Sequence, residues 1–309
     1  MISDKAKLIR ASLTREVLDS TSVEQKRTEW EAASKAIPTP SGVSVSAVDI
    51  GGVLCLVCST DKAQTDKAHA GKALSGKIAL SKRVIVYCHG GGLVEGSAET
   101  FRVWGARVAL RTGCRVVLVD YRLAPENPYP AAINDVFSVC RAVPSVLDSA
   151  EQIVIGADST GSVLGLASMV KFKQSQDVNI VGGFFLSPSI DFTFSGNSIA
   201  ANEDNDRIVS LSVLKQYANY YCDSSHFNNS AVSPLFADLS CLPPILVMAD
   251  DSELLLDDAI RLHRIIKNKG GTCLLNVNQG LWHVWPLWGE FAEAATALDD
   301  IAEHIFNLE

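Results

Sequence analysis

Ser159 stands among small residues, in Gly156-Ala157-Asp158-Ser159-Thr160-Gly161-Ser162, just before the apolar run Val163-Leu164-Gly165-Leu166-Ala167. A serine at a tight strand-to-helix turn can serve as a nucleophile, and such a turn needs small residues two places before and after it. Here those residues are Ala157 and Gly161. The start of the following helix would place positive partial charge beneath the hydroxyl and any anion formed there. Alone, the pattern also fits a serine that merely caps a helix. A second feature shifts the balance: an apolar run at 83–88 leads directly into His89-Gly90-Gly91-Gly92. Three glycines free the backbone to turn N–H groups toward a substrate oxygen, as an oxyanion hole requires. The run lacks the G-x-G-x-x-G spacing and the acid about 20 residues on that dinucleotide binding would need.

A serine nucleophile needs a base and an acid that orients it, in the chain order serine, acid, histidine. Of the six histidines, His263 and His304 fall in helical runs, and His69 and His226 in polar loops. His89 belongs to the glycine run. His283, in Gln279-Gly280-Leu281-Trp282-His283-Val284-Trp285, follows a strand candidate at 272–277 and can project over the sheet's edge. The acid should follow the preceding strand, 244–248, where Asp250, Asp251 and Glu253 all stand. Spacing alone does not choose among the three.

The elements that must position these groups alternate regularly. Strands are predicted at 43–49, 52–58, 83–88, 115–119, 152–156, 180–186, 244–248 and 272–277. Helices are predicted near 99–112, 130–143, 160–174, 255–268 and 287–307. Gly51-Gly52 between the first two strands signals an antiparallel hairpin. β-branched runs alternating with helices predict an α/β fold, a mostly parallel sheet covered on both faces. Residues 1–40 are charged and helical, and 190–240 interrupt the alternation with polar residues and the aromatic cluster Gln216-Tyr217-Ala218-Asn219-Tyr220-Tyr221. One domain over 1–309 is expected, with a cap built from about 1–40 and 190–225.

Composition narrows the function classes. The chain has 309 residues, 47% hydrophobic and 20% charged, which suits a globular core and excludes a disordered chain. Its 27 basic and 35 acidic residues sum to −8, whereas a nucleic-acid binder needs a basic footprint. Lysines at 62, 67, 72, 77 and 82 recur at a period that matches neither helix nor strand, so a solvated loop is expected there. Within that loop, Gly71 to Ile78 nearly spells a phosphate-binding loop, but Ile78 stands where Ser or Thr must hold magnesium. Cys55-Leu56-Val57-Cys58 has the C-x-x-C spacing, yet on a strand residues three apart face opposite sides, so packed free thiols are expected. No apolar run is long enough to span a membrane, and the first residues lack a secretory signal. A soluble, cytoplasmic enzyme is expected.

These pieces resemble the hormone-sensitive-lipase-like (family IV) branch of the α/β-hydrolase carboxylesterases. The resemblance rests on His89-Gly90-Gly91-Gly92, Tyr121-Arg122-Leu123-Ala124-Pro125-Glu126, Asp158-Ser159-Thr160-Gly161 and Trp282-His283-Val284, and spans roughly residues 20–308. It implies an α/β-hydrolase fold with a helical cap, Ser159 as nucleophile and His283 as base. The family's acid motif aligns with Glu253 to Asp258, which selects Glu253, with Asp251 as fallback. Oxyanion donors map to the amides of Gly90, Gly91, Gly92 and Thr160, and a substrate pocket to Leu93, Phe101, Trp104 and Trp282. Four residues depart from the family pattern: Ala157 and Ser162 replace glycines, Leu93 an aromatic residue, and Glu253 an aspartate. The implied activity is hydrolysis of small to medium acyl esters, without metal or cofactor, on small-molecule substrates, with a homodimer left open. Two other readings compete: a lyase or cyclase reusing the pocket, and a non-catalytic small-molecule receptor.

Overall fold

In the computed structural model, residues 2–15, 21–60, 82–240 and 242–309 are described. Residues 61–81 of the lysine-studded loop, with its Gly71–Ile78 segment and His69, and Cys241 lie outside the described residues. Helices α1 (Asp4–Ser12) and α2 (Val23–Lys35) each start from a serine, Ser3 and Ser22, whose hydroxyl accepts the amide of Ala6 or Gln25. Each cap satisfies one of the four amides that a first helical turn leaves open. Strands β1 (Val43–Ile50) and β2 (Val53–Thr60) form an antiparallel hairpin. Its two-residue turn requires positive φ at both positions, and Gly51 and Gly52 supply +67° and +82°.

β2 pairs antiparallel with β4 (Arg115–Val119), and beyond it the sheet is parallel. The parallel strands are β3 (Arg83–Cys88), β4, β5 (Gln152–Asp158), β6 (Ile180–Leu186), β7 (Ile245–Asp250) and β8 (Cys273–Asn278). The strand order is β1-β2-β4-β3-β5-β6-β7-β8. Side chains alternate across it as a period of two requires: on β3, Val84, Val86 and Cys88 enter one apolar cluster, Ile85 and Tyr87 the other. Helices α4 (Ala131–Val146), α5 (Gly161–Ser175) and α8 (Leu256–Asn268) cover the first face, and α3 (Arg102–Thr112) and α9 (Ala292–Phe306) the second. Cys55 and Cys58 divide between the two faces as free, buried thiols.

Two helix starts differ from expectation. α3 begins at residue 102 rather than 99, because Ser97 and Thr100 bond each other's amides and hold 97–100 in a turn. α9 begins at 292 rather than 287, because Trp285–Leu287 form a 3-10 turn containing Pro286 and Gly289 takes φ +110°. Between β6 and β7 lie the short α6 (Ser198–Ala201) and α7 (Leu211–Tyr221). Because β4 and β5 flank β3 on opposite sides, the connections diverge there and leave a crevice at the strands' C-terminal ends.

Candidate active site

β5 ends at Asp158 and α5 begins at Gly161, so Ser159 and Thr160 make the whole turn. Ser159 takes φ +48°, a conformation that costs a residue with a Cβ about 1–3 kcal/mol. Backbone bonds hold it there: its amide donates to Leu186 O (2.9 Å), and its carbonyl accepts from Ser162 N (3.1 Å) and Ser189 N (3.0 Å). A Cβ on Gly161 would lie 2.2 Å from Cys88 O and 2.3 Å from His89 O, so only glycine fits against the preceding loop. The methyl of Ala157, where the family has glycine, is buried in the core cluster beneath.

His283 follows β8, and its Nε2 lies 3.0 Å from Ser159 Oγ. Its Nδ1 lies 2.8 Å from Glu253 Oε2. Both partners are buried, at 4% and 1% exposure. Glu253 folds its longer arm back, so that Oε1 accepts from Asp250 N (2.7 Å) and Ser187 Oγ (2.8 Å). Ser187 also accepts the amide of Val284 (2.9 Å) and so joins the acid to the residue beside His283. The three carboxylates after β7 thus separate. Asp251 is exposed. Asp250 accepts Leu281 N (2.8 Å) and steadies the histidine loop from behind, while only Glu253 of the three bonds the imidazole.

Burial alone would hold His283 neutral, but the bond and charge of Glu253, with Asp206 and Asp158 behind it, raise its pKa above the ordinary value. Burial pushes the Glu253 carboxyl upward, while His283 pulls it the other way. Asp158 is pushed up to about 7 by burial, against bonds from Tyr87 and Gly90 that favour its ionised form.

One expectation for the glycine run is corrected. The Gly90 amide donates to Asp158 Oδ1 (2.9 Å), which also accepts from Tyr87 Oη (2.9 Å), so Gly90 has no amide to offer a substrate. The amides of Gly91, Gly92 and Thr160 have no partner among the described residues. Gly91 (φ +109°) admits no side chain, since a Cβ would lie 2.3 Å from Glu95 O. His89 is stacked between Tyr121 (4.2 Å between ring centroids) and Phe101 (5.1 Å), and burial lowers its pKa to about 4.

The four expected pocket residues are 0–4% exposed and back the site. Leu93 lies in the core with φ +60°, Phe101 and Trp104 pack on Tyr87, and Trp282 packs on Trp288 and Phe291. Sequence reasoning missed Ser187, Asn202 and Asp206. Only the position of Ser187 immediately after β6 could have marked one of them. Among the described residues, no group of three or more His, Cys, Asp and Glu side chains is arranged to hold a metal ion.

Residues 85–287 match the family model described as alpha/beta hydrolase fold. An esterase of Acinetobacter venetianus is 34% identical over 233 residues, covering 75% of this chain and 77% of the relative. An acetyl-hydrolase of Streptomyces hygroscopicus is 25% identical over 203 residues, covering 66% and 68%. A solved hormone-sensitive lipase from a metagenome library matches with a TM-score of 0.83 at 30% identity, covering 98% of this chain and 95% of that one. An esterase from the bacterial hormone-sensitive lipase family matches at 0.81 and 29%, with the same coverage. The elbow at Ser159, the strand order and these likenesses agree: the chain belongs to the α/β-hydrolase family, in its hormone-sensitive-lipase-like branch of carboxylesterases.

Proposed function

We propose that Ser159, His283 and Glu253 are the catalytic triad of this carboxylesterase, with Gly91, Gly92 and Thr160 supplying the oxyanion hole. The observation that carries the reading is the continuous line of hydrogen bonds from Glu253 through His283 to Ser159. Glu253 holds the tautomer with hydrogen on Nδ1, which leaves the Nε2 lone pair facing the serine hydroxyl. Nε2 takes the serine proton as Oγ attacks the ester carbonyl, and the carbonyl oxygen becomes an anion held by the three amides. Collapse breaks the bond to the alcohol, which leaves with the proton from Nε2. Water, activated by the same nitrogen, then releases the acid and frees Ser159.

The substrates are read as small to medium acyl esters of small molecules, with 1–40 and 190–225 covering the site. A net charge of −8 disfavours anionic polymers. A receptor would have no use for an imidazole in line with a serine, which disfavours that alternative. Ser159→Ala tests the reading: kcat for a short activated ester should fall by about 10⁴-fold or more. Unaltered hydrolysis would overturn it, and product formation from a natural substrate that survived Ser159→Ala would instead support a lyase or cyclase. Labelling of Ser159 by a fluorophosphonate separates the enzyme from the receptor.

A further inference from the structure

The loop that carries Glu253 is neither helix nor strand, so its backbone groups need partners from elsewhere. Several of them find partners in one stretch, residues 198–206, between β6 and α7. The Asn202 side-chain nitrogen donates to both Asp251 O and Glu253 O, each at 2.9 Å. An amide NH₂ has two protons, and here each goes to one of these carbonyls. Asp206 Oδ2 accepts the amide of Leu254 (2.9 Å), and its Oδ1 accepts those of Ile208 and Val209 (2.9 Å each). Ser198 Oγ donates to Leu254 O (2.7 Å) and accepts from Asp257 N (2.9 Å). Asp206 is 2% exposed and Asn202 9%. The carbonyl and the amide of the peptide that joins Glu253 to Leu254 are therefore both held from a segment about 50 positions earlier in the chain.

We propose that Asn202 and Asp206 are positioning residues for the ester hydrolysis, which fix the loop that presents Glu253. The proposal rests on Glu253 being the triad acid. A glutamate has one more rotatable bond than the family's aspartate, so its carboxylate is placed only if its backbone is placed first. Two of its bonds, to Asp250 N and Ser187 Oγ, hold the side chain, and Asn202 and Asp206 hold the backbone. The segment expected to cover the site thereby also braces the acid.

Asn202→Ala and Asp206→Asn test this alongside Glu253→Gln, in the full chain, with an activated short-chain ester. Each of the first two should lower kcat about 10- to 100-fold while KM stays within about twofold, since neither residue touches substrate. Combined with Glu253→Gln, Asn202→Ala should not lower kcat further, because a residue that acts only through the acid has nothing left to position, whereas the Asp206 charge also acts on His283. Unchanged kcat or a change confined to KM in either single variant, or a fully additive loss when Asn202→Ala is joined to Glu253→Gln, would each overturn the proposal. If Asp206→Asn does not fold, Asn202→Ala carries the same test, since it leaves the Asp206 bonds in place. A Glu253→Gln enzyme with normal kcat would instead overturn the triad assignment, and the proposal with it. The two failures are thus told apart.

Discussion

At the scale of single residues, Glu253 does two things with one carboxylate. Oε1 ties back to Asp250 N and Ser187 Oγ, and Oε2 reaches His283. An aspartate on the same backbone is one methylene short and cannot keep both connections. Glu253→Asp should therefore lower kcat about tenfold with the fold retained, as steady-state kinetics and circular dichroism would show. The proposed base, His283, makes a second prediction. Proton abstraction needs a neutral His283, and Glu253, Asp206 and Asp158 raise its pKa above the ordinary imidazole value. A group with a raised pKa stays protonated to higher pH, so kcat/KM should fall as pH drops through a limb lying above that value. Glu253→Gln removes the nearest anion and should move the limb to lower pH. A limb that did not move would show that another group governs it.

At the scale of elements, the site depends on how closely loops from different strands approach. The glycine run meets the nucleophile turn at Gly90 and Gly161, and it meets α7 at Gly92. A Cβ on Gly92 would lie 2.1 Å from the Tyr217 ring, and the Tyr217 hydroxyl bonds Glu95 in the same loop. Gly92→Ala must therefore displace either its own amide or α7. It should lower kcat by about 10²-fold or more, the scale of losing one oxyanion donor. Equal activity in Gly92→Ala would show that its amide does not hold the oxyanion. The correction at Gly90 has the same origin. Three consecutive glycines look equivalent in sequence, and only the approach of Asp158 from β5 takes one amide out of service.

At the scale of the whole molecule, the sheet keeps its chemistry and its anchoring at opposite ends. Ser159, Glu253, His283 and the glycine run all follow the C-terminal ends of parallel strands. At the other end of β3, buried Arg83 bonds the Gln152 side chain (2.6 Å) and the carbonyls of Ile305 (2.5 Å) and Leu308 (2.8 Å), pinning the end of α9. Arg83→Met would take the charged donor from two buried carbonyls and from the Gln152 side chain, and should cost about 3 kcal/mol of stability. It should leave kcat unchanged; urea unfolding and ester hydrolysis measure the two independently. The thiols Cys55 and Cys58 belong to this packing, for burial pushes both up to about 12.

Much of this was legible along the chain. The β-branched runs, the glycines and the serine flanked by small residues are local features, because strand period and turn sterics act over a few neighbouring positions. They were enough to point to the sheet, the tight turn at Ser159 and the histidine at the sheet's edge. Spacing could not choose among Asp250, Asp251 and Glu253, which are near neighbours on one loop. The resemblance to the family pointed to Glu253, and the tertiary structure adds its bond to His283, with Ser187, Asn202 and Asp206 converging on the loop from distant positions. Buried peptide groups and carboxylates must find partners, and which partner reaches which atom is settled only when the chain has closed around them.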